Sequence, residues 1–168
     1  MTTSNVYRTR PDEAPKTGKQ AHDASADRLR LVEQLCFALY TATNAVTRTY
    51  RPLLRSIGLT YPQYLVMMAL WEHDSATLTE LAMRLNLPLH GLSPVAGRLQ
   101  QQGLLERHRG TTDRRITRIS LTRLGRALET DAARAQHEVV SRSQLSPAAL
   151  AQVRDELHDL TERLTSTT

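Results

Sequence analysis

The chain has 168 residues, the length of one domain, and its 40% hydrophobic but only 4% aromatic composition favours a helical protein with an aliphatic core over a β-sandwich. A net charge of +5 and a pI of about 9.9 indicate an acidic partner such as nucleic acid. There is no apolar run near the ~18 residues of a membrane span, no signal-peptide core at the N-terminus, and only one cysteine, so we expect a cytoplasmic protein without disulfides.

Residues 1–27 are polar, carry Pro11, Pro15 and Gly18, and show no apolar period. This composition predicts a disordered or loosely ordered N-terminal arm. Its basic side chains either brush DNA or belong to a plain tail, and the sequence leaves both readings open.

A first helix is predicted to begin at Arg28. Pro52 should kink or interrupt it, and Gly58 should end it. Apolar residues recur along it mostly at three- and four-residue steps, the spacing of one helical face: Val32, Leu35, Cys36, Leu39, Val46, Tyr50, Leu53 and Ile57. So long a stripe in a small protein indicates packing against a second chain.

The second helix should start at Tyr61-Pro62, with Thr60 or Tyr61 in the cap region, and end near His73-Asp74. Its predicted buried residues are Leu65, Met68, Ala69 and Trp71.

A short third helix is predicted over residues 77–85, where Thr77 and Glu80 have the spacing of a capping box. Its inner face should be Leu78, Leu81, Ala82 and Leu85. A turn over residues 86–89 leads to a fourth helix, roughly residues 90–102, closed by Gly103. Its inward side chains should be Leu92, Val95, Ala96 and Leu99.

The stretch from Leu104 to Thr122 has two short apolar–polar runs around a turn of residues 110–113, which predicts a β-hairpin. From Arg98 to Arg126 there are eight arginines against Glu106 and Asp113, a net of +6, so the positive charge of the chain is local. A basic hairpin is a candidate for phosphate contact; the alternative is a solvated charged turn.

Two short helices joined by a tight turn and followed by a basic hairpin have the order of a winged helix-turn-helix. The fourth helix would then lie in the DNA major groove, where Gln and Arg side chains can make bidentate base contacts. Asp113, which would repel phosphate if unpaired, should hold Arg115 in a fixed pose. The candidate DNA-binding residues are Ser93, Arg98, Gln100, Gln101, Arg107, Arg109, Asp113, Arg114, Arg115 and Arg118, with Ile119 and Leu121 packing the hairpin on the domain.

A further helix is predicted from Thr122 to about Arg142, with Leu124, Ala127, Leu128, Ala132 and Ala135 on its buried side. The last helix should start at Ser146-Pro147, as cap and first residue. Its leucines and valine alternate steps of three and four, like a coiled-coil seam: Leu150, Val153, Leu157, Leu160 and Leu164. Together with the first helix, this seam is best suited to dimerisation. A dimer would place two DNA-binding parts on one duplex.

Cys36 lies on the apolar stripe of the first helix, where a lone cysteine is usually an inert small hydrophobe. Tyr40, four residues on, can lie beside it. Tyr50 is 14 residues, roughly 21 Å, further along a straight helix, and therefore reaches Cys36 only of an antiparallel partner. Phenols that hydrogen-bond the thiolate would lower its pKa and make it the first group oxidised by a peroxide.

Several motifs resemble those of one family. Asp113-x-Arg115, followed by Leu121-Thr122 and Gly125, is similar to the wing signature of the MarR family of dimeric winged-helix regulators. Three further runs resemble its organic-hydroperoxide-resistance branch (OhrR): Leu35-Cys36-Phe37 with Tyr40, Tyr50-x-Pro52-Leu53, and Leu59-Thr60-Tyr61-Pro62-Gln63-Tyr64. The resemblance covers residues 31–128.

The resemblance implies that Cys36 is a peroxide-sensing thiol, hydrogen-bonded by Tyr50 and Tyr61 of the partner subunit with Tyr40 close by. Oxidation to sulfenate followed by capping would release the repressor from DNA. With no second cysteine the chain is similar to the one-cysteine type, whose cap comes from a small cellular thiol, a backbone nitrogen or another protein. One run departs from the branch: residues 86–91, Asn-Leu-Pro-Leu-His-Gly, replace small polar residues before the reading helix, so the operator sequence is not carried over.

The sequence therefore predicts a mainly α fold with a small β-hairpin wing, a winged helix-turn-helix dimerised through its N- and C-terminal helices. Residues 28–168 would form one domain, with dimerisation helices at 28–58 and 123–168 around a DNA-binding part at 59–122. The expected function is a homodimeric repressor of a pseudo-palindromic operator on double-stranded DNA that senses organic hydroperoxides through Cys36, with a low-molecular-weight thiol as one source of the cap.

Two other interpretations compete with this one. The first is a MarR-type regulator of a small phenolic or anionic ligand with an inert Cys36. The second is a thiol peroxidase, but the apolar surroundings of Cys36 lack the Thr or Pro setting that such enzymes use. We expect no enzyme activity, no cofactor and no membrane partner. The histidines have no ligand-like spacing, so no metal site is predicted.

Overall fold

A computed structural model describes residues 30–109 and 117–166. By its internal contacts the chain divides into two compact units, Met1–Tyr40 and Thr41–Thr168. The predicted N-terminal arm, residues 1–27, lies outside the described residues. The fold class predicted from the sequence is confirmed: the chain is mostly helical with a small antiparallel sheet.

The described part of the first unit begins with a short 3-10 helix, Leu31–Glu33, followed by the start of helix α1, Leu35–Ser56. The prediction of one continuous helix from Arg28 is wrong over residues 30–34, because Arg30 and Gln34 both have extended backbone. Leu31 and Val32 are about 60% exposed, so no core contact holds this segment in the α conformation.

Of the two outcomes predicted at Pro52, an interruption is wrong, because helix α1 continues through that residue. Proline removes one backbone hydrogen bond, but Tyr50 and Leu54 on the adjacent turns are buried and hold the helix to the core. The helix ends where predicted, at Gly58, whose φ of +76° is a conformation that other residues rarely adopt.

Helix α2, Tyr61–Glu72, has Thr60 as its N-cap and Pro62 in its first turn, as predicted. Its buried residues are Gln63, Tyr64, Val66, Met67, Ala69 and Leu70. The predicted inner face is therefore partly wrong: Met68 is exposed, and Leu65 and Trp71 are half-buried. Because α2 is apolar on nearly every side, its sequence carries no period that selects a face.

A three-residue strand β1, Ser75–Thr77, leads into helix α3, Leu78–Arg84, and helix α4, Leu89–Gln101. The predicted capping box is confirmed: Glu80 N–H donates to Thr77 Oγ1 at 3.1 Å, and Thr77 N–H donates to Glu80 Oε2 at 2.6 Å. Leu81, Leu92, Ala96 and Leu99 are buried, so α3 and α4 pack through the predicted faces.

The sheet has the order β1-β3-β2 and is antiparallel throughout. The hairpin predicted between Leu104 and Thr122 forms its two long strands, β2 at Leu105–Arg109 and β3 at Thr117–Leu121. Ile119 and Leu121 are buried on one face, as predicted. Strand β1 was not predicted, since it is a strand only by pairing with β3.

The helix predicted from Thr122 to Arg142 is two helices, α5 at Arg123–Ala127 and α6 at Glu129–Ser143. The predicted buried side is partly wrong: Leu124 is 57% exposed and Ala127 is exposed, while Ala132 and Ala135 are buried. Helix α7, Pro147–Thr165, starts as predicted with Ser146 Oγ accepting from Ala149 N–H. None of the helices in the described ranges is both long enough and apolar enough to cross a bilayer.

Candidate functional site

The predicted sensing thiol lies in the first turn of α1. Within the first unit, Cys36 is exposed, and Tyr40, one turn on, is 66% exposed. Residues four apart on a helix share a face. The thiol is therefore open to a solute in the single chain, contrary to the buried position that an inert core cysteine would take.

In the second unit, three tyrosines form a ring cluster where α1 meets α2. Tyr50 is 8% exposed, and its ring centroid lies 5.4 Å from both Tyr61 and Tyr64. Tyr61 and Tyr64 are 6.3 Å apart, and Tyr64 lies 6.4 Å from Trp71. Such separations are those of favourable tilted aromatic pairs.

Burial raises the pKa of Tyr50. The nearby Tyr64, which forms a hydrogen bond with the Tyr50 side chain, raises that pKa further. Burial likewise raises the pKa of Tyr61 and of Tyr64. All three phenols therefore keep their protons well above neutral pH, and their hydroxyls can donate hydrogen bonds to an anionic acceptor.

The structure thus brings two predicted residues, Tyr50 and Tyr61, together in the second unit, while Cys36 and Tyr40 belong to the first. Tyr64 was not among the predicted site residues. Its signal in the sequence was its position three residues after Tyr61 on α2, which places the two rings on neighbouring rows of one helix.

Helix α4 carries the four predicted DNA-binding residues outside its buried row. Leu92, Ala96 and Leu99 are buried, and Ser93, Arg98, Gln100 and Gln101 are exposed. His90 is also exposed on the first turn. His90 was not among the predicted DNA-binding residues, although the first residues of a recognition helix commonly meet base edges.

The hairpin carries the predicted basic residues. Arg107 on β2 is exposed and has no ion-pair partner within the described ranges. The side chain of Arg109 and the whole of residues 110–116, including Asp113, Arg114 and Arg115, lie outside the described residues.

Arg118 differs from the prediction that its guanidinium is left to solvent or phosphate. Its Nη2 donates to Ser75 O at 2.8 Å and its Nε donates to Ser75 Oγ at 3.0 Å, while Nη2 lies 3.7 Å from Glu80 Oε2. The guanidinium therefore ties strand β3 to strand β1 and to the first turn of α3.

Within residues 30–109 and 117–166, no three His, Cys, Asp or Glu side chains are grouped to hold a metal ion. Two histidines there have other neighbours: His73 Nδ1 lies 2.7 Å from Arg84 Nη1, and His108 Nε2 lies 3.3 Å from Glu106 Oε1.

Comparison with known proteins gives consistent matches. The profile of the MarR family matches residues 59–117. Over 138 residues, the chain is 38% identical to the organic hydroperoxide resistance transcriptional regulator of Bacillus subtilis (strain 168), covering 82% of this chain and 94% of that protein.

Two solved structures are also similar. One is reduced AbfR bound to DNA, with a TM-score of 0.67, 32% identity, and coverage of 83% of this chain and 96% of that one. The other is AbfR of Staphylococcus epidermidis, with a TM-score of 0.70, 28% identity, and coverage of 85% and 97%.

Proposed function

The chain belongs to the MarR family of transcriptional regulators, and on that premise we propose that it is a DNA-binding repressor that senses organic hydroperoxides through Cys36. The observation that carries the proposal is that the chain holds both an exposed lone thiol, in its first unit, and a cluster of phenols that burial keeps protonated, in its second unit. Its similarity over most of its length to an organic hydroperoxide resistance transcriptional regulator supports a role in the response to organic hydroperoxides.

In the proposed homodimer, Tyr50 and Tyr61 of one subunit donate hydrogen bonds to the Cys36 thiolate of the other, with Tyr40 beside the sulfur. These bonds stabilise the thiolate. The thiolate attacks the outer oxygen of the hydroperoxide and breaks the O–O bond; with one proton taken up, the products are a sulfenic acid and an alcohol. A low-molecular-weight thiol then condenses with the sulfenic acid, which gives a mixed disulfide and water.

DNA recognition is proposed for α4 and the hairpin. Helix α4 would enter the major groove, with Ser93, Arg98, Gln100 and Gln101 at base edges or phosphates. The basic residues of the wing, Arg107, Arg109, Arg114 and Arg115, would contact phosphates or the minor groove, with Asp113 orienting Arg115. The similarity to a solved structure of reduced AbfR bound to DNA supports a DNA-binding role.

The proposed dimer interface uses α7 and the start of α1. Along α7, the predicted seam is largely uncovered in the single chain: Val153 is 50% exposed, Leu157 41% and Leu164 67%. Leu35 on α1 is 59% exposed. Apolar side chains in a periodic row need a partner surface, and a two-fold dimer would place two copies of α4 on one pseudo-palindromic operator.

The test is a DNA-binding titration with an operator obtained by selection from random duplexes. Wild-type protein treated with cumene hydroperoxide and a thiol should lose affinity, while Cys36→Ser, treated identically, should stay bound. Mass spectrometry of the Cys36 peptide from the same samples reports the adduct. Wild-type protein that carries the adduct and still binds as tightly as before would contradict the proposal.

A further inference from the structure

Gln63 is buried at 5% exposure, and no other polar side chain in the described part of the chain belongs to the core. It lies in the first turn of α2, two residues after Tyr61. Its Oε1 accepts from the Thr60 backbone N–H at 2.8 Å and from the Thr60 hydroxyl at 3.0 Å. This half of the contact caps α2, and a glutamate would serve it as well.

The amide nitrogen of the same side chain forms its hydrogen bond outside the helix cap. Gln63 Nε2 donates to Gln102 Oε1 at 3.1 Å, and Gln102 Nε2 donates to the carbonyl oxygen of Gly58 at 3.2 Å. Gln102 is the C-terminal cap of α4. We call the four residues Gly58, Thr60, Gln63 and Gln102 the amide relay.

The relay has one permitted direction. It begins at a backbone N–H, which only donates, and ends at a backbone carbonyl, which only accepts. Each glutamine must therefore accept on one side and donate on the other, and a glutamate at either position breaks the chain. Capping of α2 requires only the Gln63 Oε1 acceptor and not this order of donors and acceptors. The side-chain amide of Gln102 therefore has another role.

We propose that Gln63 and Gln102 are positioning residues that hold the C-terminal end of α4 to the corner between α1 and α2, and carry a displacement of that corner to the reading helix. The inference rests on the proposed function. Tyr61 lies between Thr60 and Gln63, and its ring packs at a tilt against Tyr50, with 5.4 Å between the ring centroids. Oxidation and capping of a sulfur held by these phenols replace the anionic thiolate they bind with a neutral and larger mixed disulfide, and the corner carries the resulting shift to α4 through the relay.

The variants that test the relay change Gln102. Gln102→Met keeps the length of the side chain and removes both hydrogen bonds. Gln102→Glu keeps an acceptor for Gln63 Nε2 but cannot donate to the Gly58 carbonyl. The readout is the ratio of DNA dissociation constants after and before oxidation by cumene hydroperoxide, because a direct loss of DNA contact affects both states and cancels in the ratio. The rate of Cys36 oxidation, measured by mass spectrometry, shows that sensing is intact.

We expect both variants to oxidise at the wild-type rate and to lower that ratio by about five- to tenfold, the range of a single coupling contribution. An unchanged ratio in the variants, with normal release by wild-type protein, overturns the relay and leaves the proposed function standing. Wild-type protein that oxidises and does not release DNA overturns both.

Discussion

At the scale of single residues, Gly97 is placed where the protein itself does not need a glycine. It lies in the middle of α4, on the row formed by His90, Pro94 and Gln101 at steps of four, three and four. Apart from the backbone of its own helix, a Cβ added there would meet no atom of the described residues within 4 Å. A glycine inside a helix costs about 1 kcal/mol relative to alanine. Since packing does not explain this cost, we infer that α4 approaches DNA closely at Gly97.

Gly97→Ala should therefore raise the free energy of unfolding by about 0.5–1 kcal/mol and weaken operator binding by about tenfold, as loss of a base-edge contact does. Thermal unfolding without DNA and a binding titration measure the two effects.

Gly91→Ala is the matched control, since its Cβ would make only an ordinary contact with Pro88 Cγ at 3.7 Å and lies roughly 120° around the helix from Gly97. It should stabilise the protein and leave affinity unchanged. A Gly97→Ala protein that is stabilised and binds DNA as tightly as wild type would contradict the close approach.

Gly125 is a position where the structure leaves no room for a side chain, whereas the sequence indicated Gly125 only as part of a motif. A Cβ at this position would lie 2.2 Å from the carbonyl oxygen of Leu104, and the Gly125 carbonyl accepts from Trp71 Nε1 at 3.1 Å. The resemblance to a family wing signature included Gly125, but its physical reason is a close backbone approach between segments 21 residues apart. No local pattern encodes such an approach.

At the scale of elements, the wing is docked by a charged side chain. Arg118 joins β3 to β1 and lies near Glu80, which also caps α3. Arg107, on the neighbouring strand β2, is exposed and has no such contacts in the described part of the chain. Of these two arginines of one hairpin, Arg118 therefore stabilises the fold, whereas Arg107 is available to a partner.

Arg118→Ala should lower the free energy of unfolding by about 1 kcal/mol, because it removes hydrogen bonds between strands. Arg107→Ala, the matched control, should change stability by less than about 0.5 kcal/mol and lower the slope of log affinity against log salt by about 1, as loss of one phosphate contact does. Denaturant unfolding and a salt series of DNA titrations are the measurements. Equal stability of the two variants would show that Arg118 does not dock the wing.

Local signals predicted the elements whose ends carry a cap or a glycine. Thr77 with Glu80, Ser146 with Pro147, and Gly58 each marked a helix end that the structure confirms. The errors lie where the deciding contact is distant in sequence. Strand β1 exists through its pairing with β3, and the two helices α5 and α6 follow one unbroken apolar period in the sequence.

The candidate site, like the fold, could be predicted only where local sequence patterns determine it. The apolar period of α1 and the Tyr61-Pro62 helix start placed Tyr50 and Tyr61 on adjoining helices, and the structure packs their rings together. The amide relay was not predictable, because Gln63 and Gln102 are 39 residues apart and neither has an unusual local setting. The structural roles of the other site residues, including Cys36 and Asp113, stay predictions.

At the scale of the whole molecule, the proposed sensing site requires two subunits. The phenols that would hold a thiolate are in the second unit, and the apolar seam of α7 is open to solvent. The division into an arm of residues 1–27 and a domain of residues 28–168 stays a prediction, as does dimerisation through the first and last helices. The central claim is that one subunit's tyrosines act on the other subunit's sulfur.

The most direct test is the oxidation rate of Cys36 in a heterodimer of Cys36→Ser with the double variant Tyr50→Phe, Tyr61→Phe. If the site forms between subunits, the one remaining thiol meets the intact tyrosines of its partner and reacts with cumene hydroperoxide at the wild-type rate, while the double-variant homodimer reacts slowly. If the heterodimer reacts as slowly as that homodimer, the tyrosines act within their own chain or not at all, and the account is contradicted.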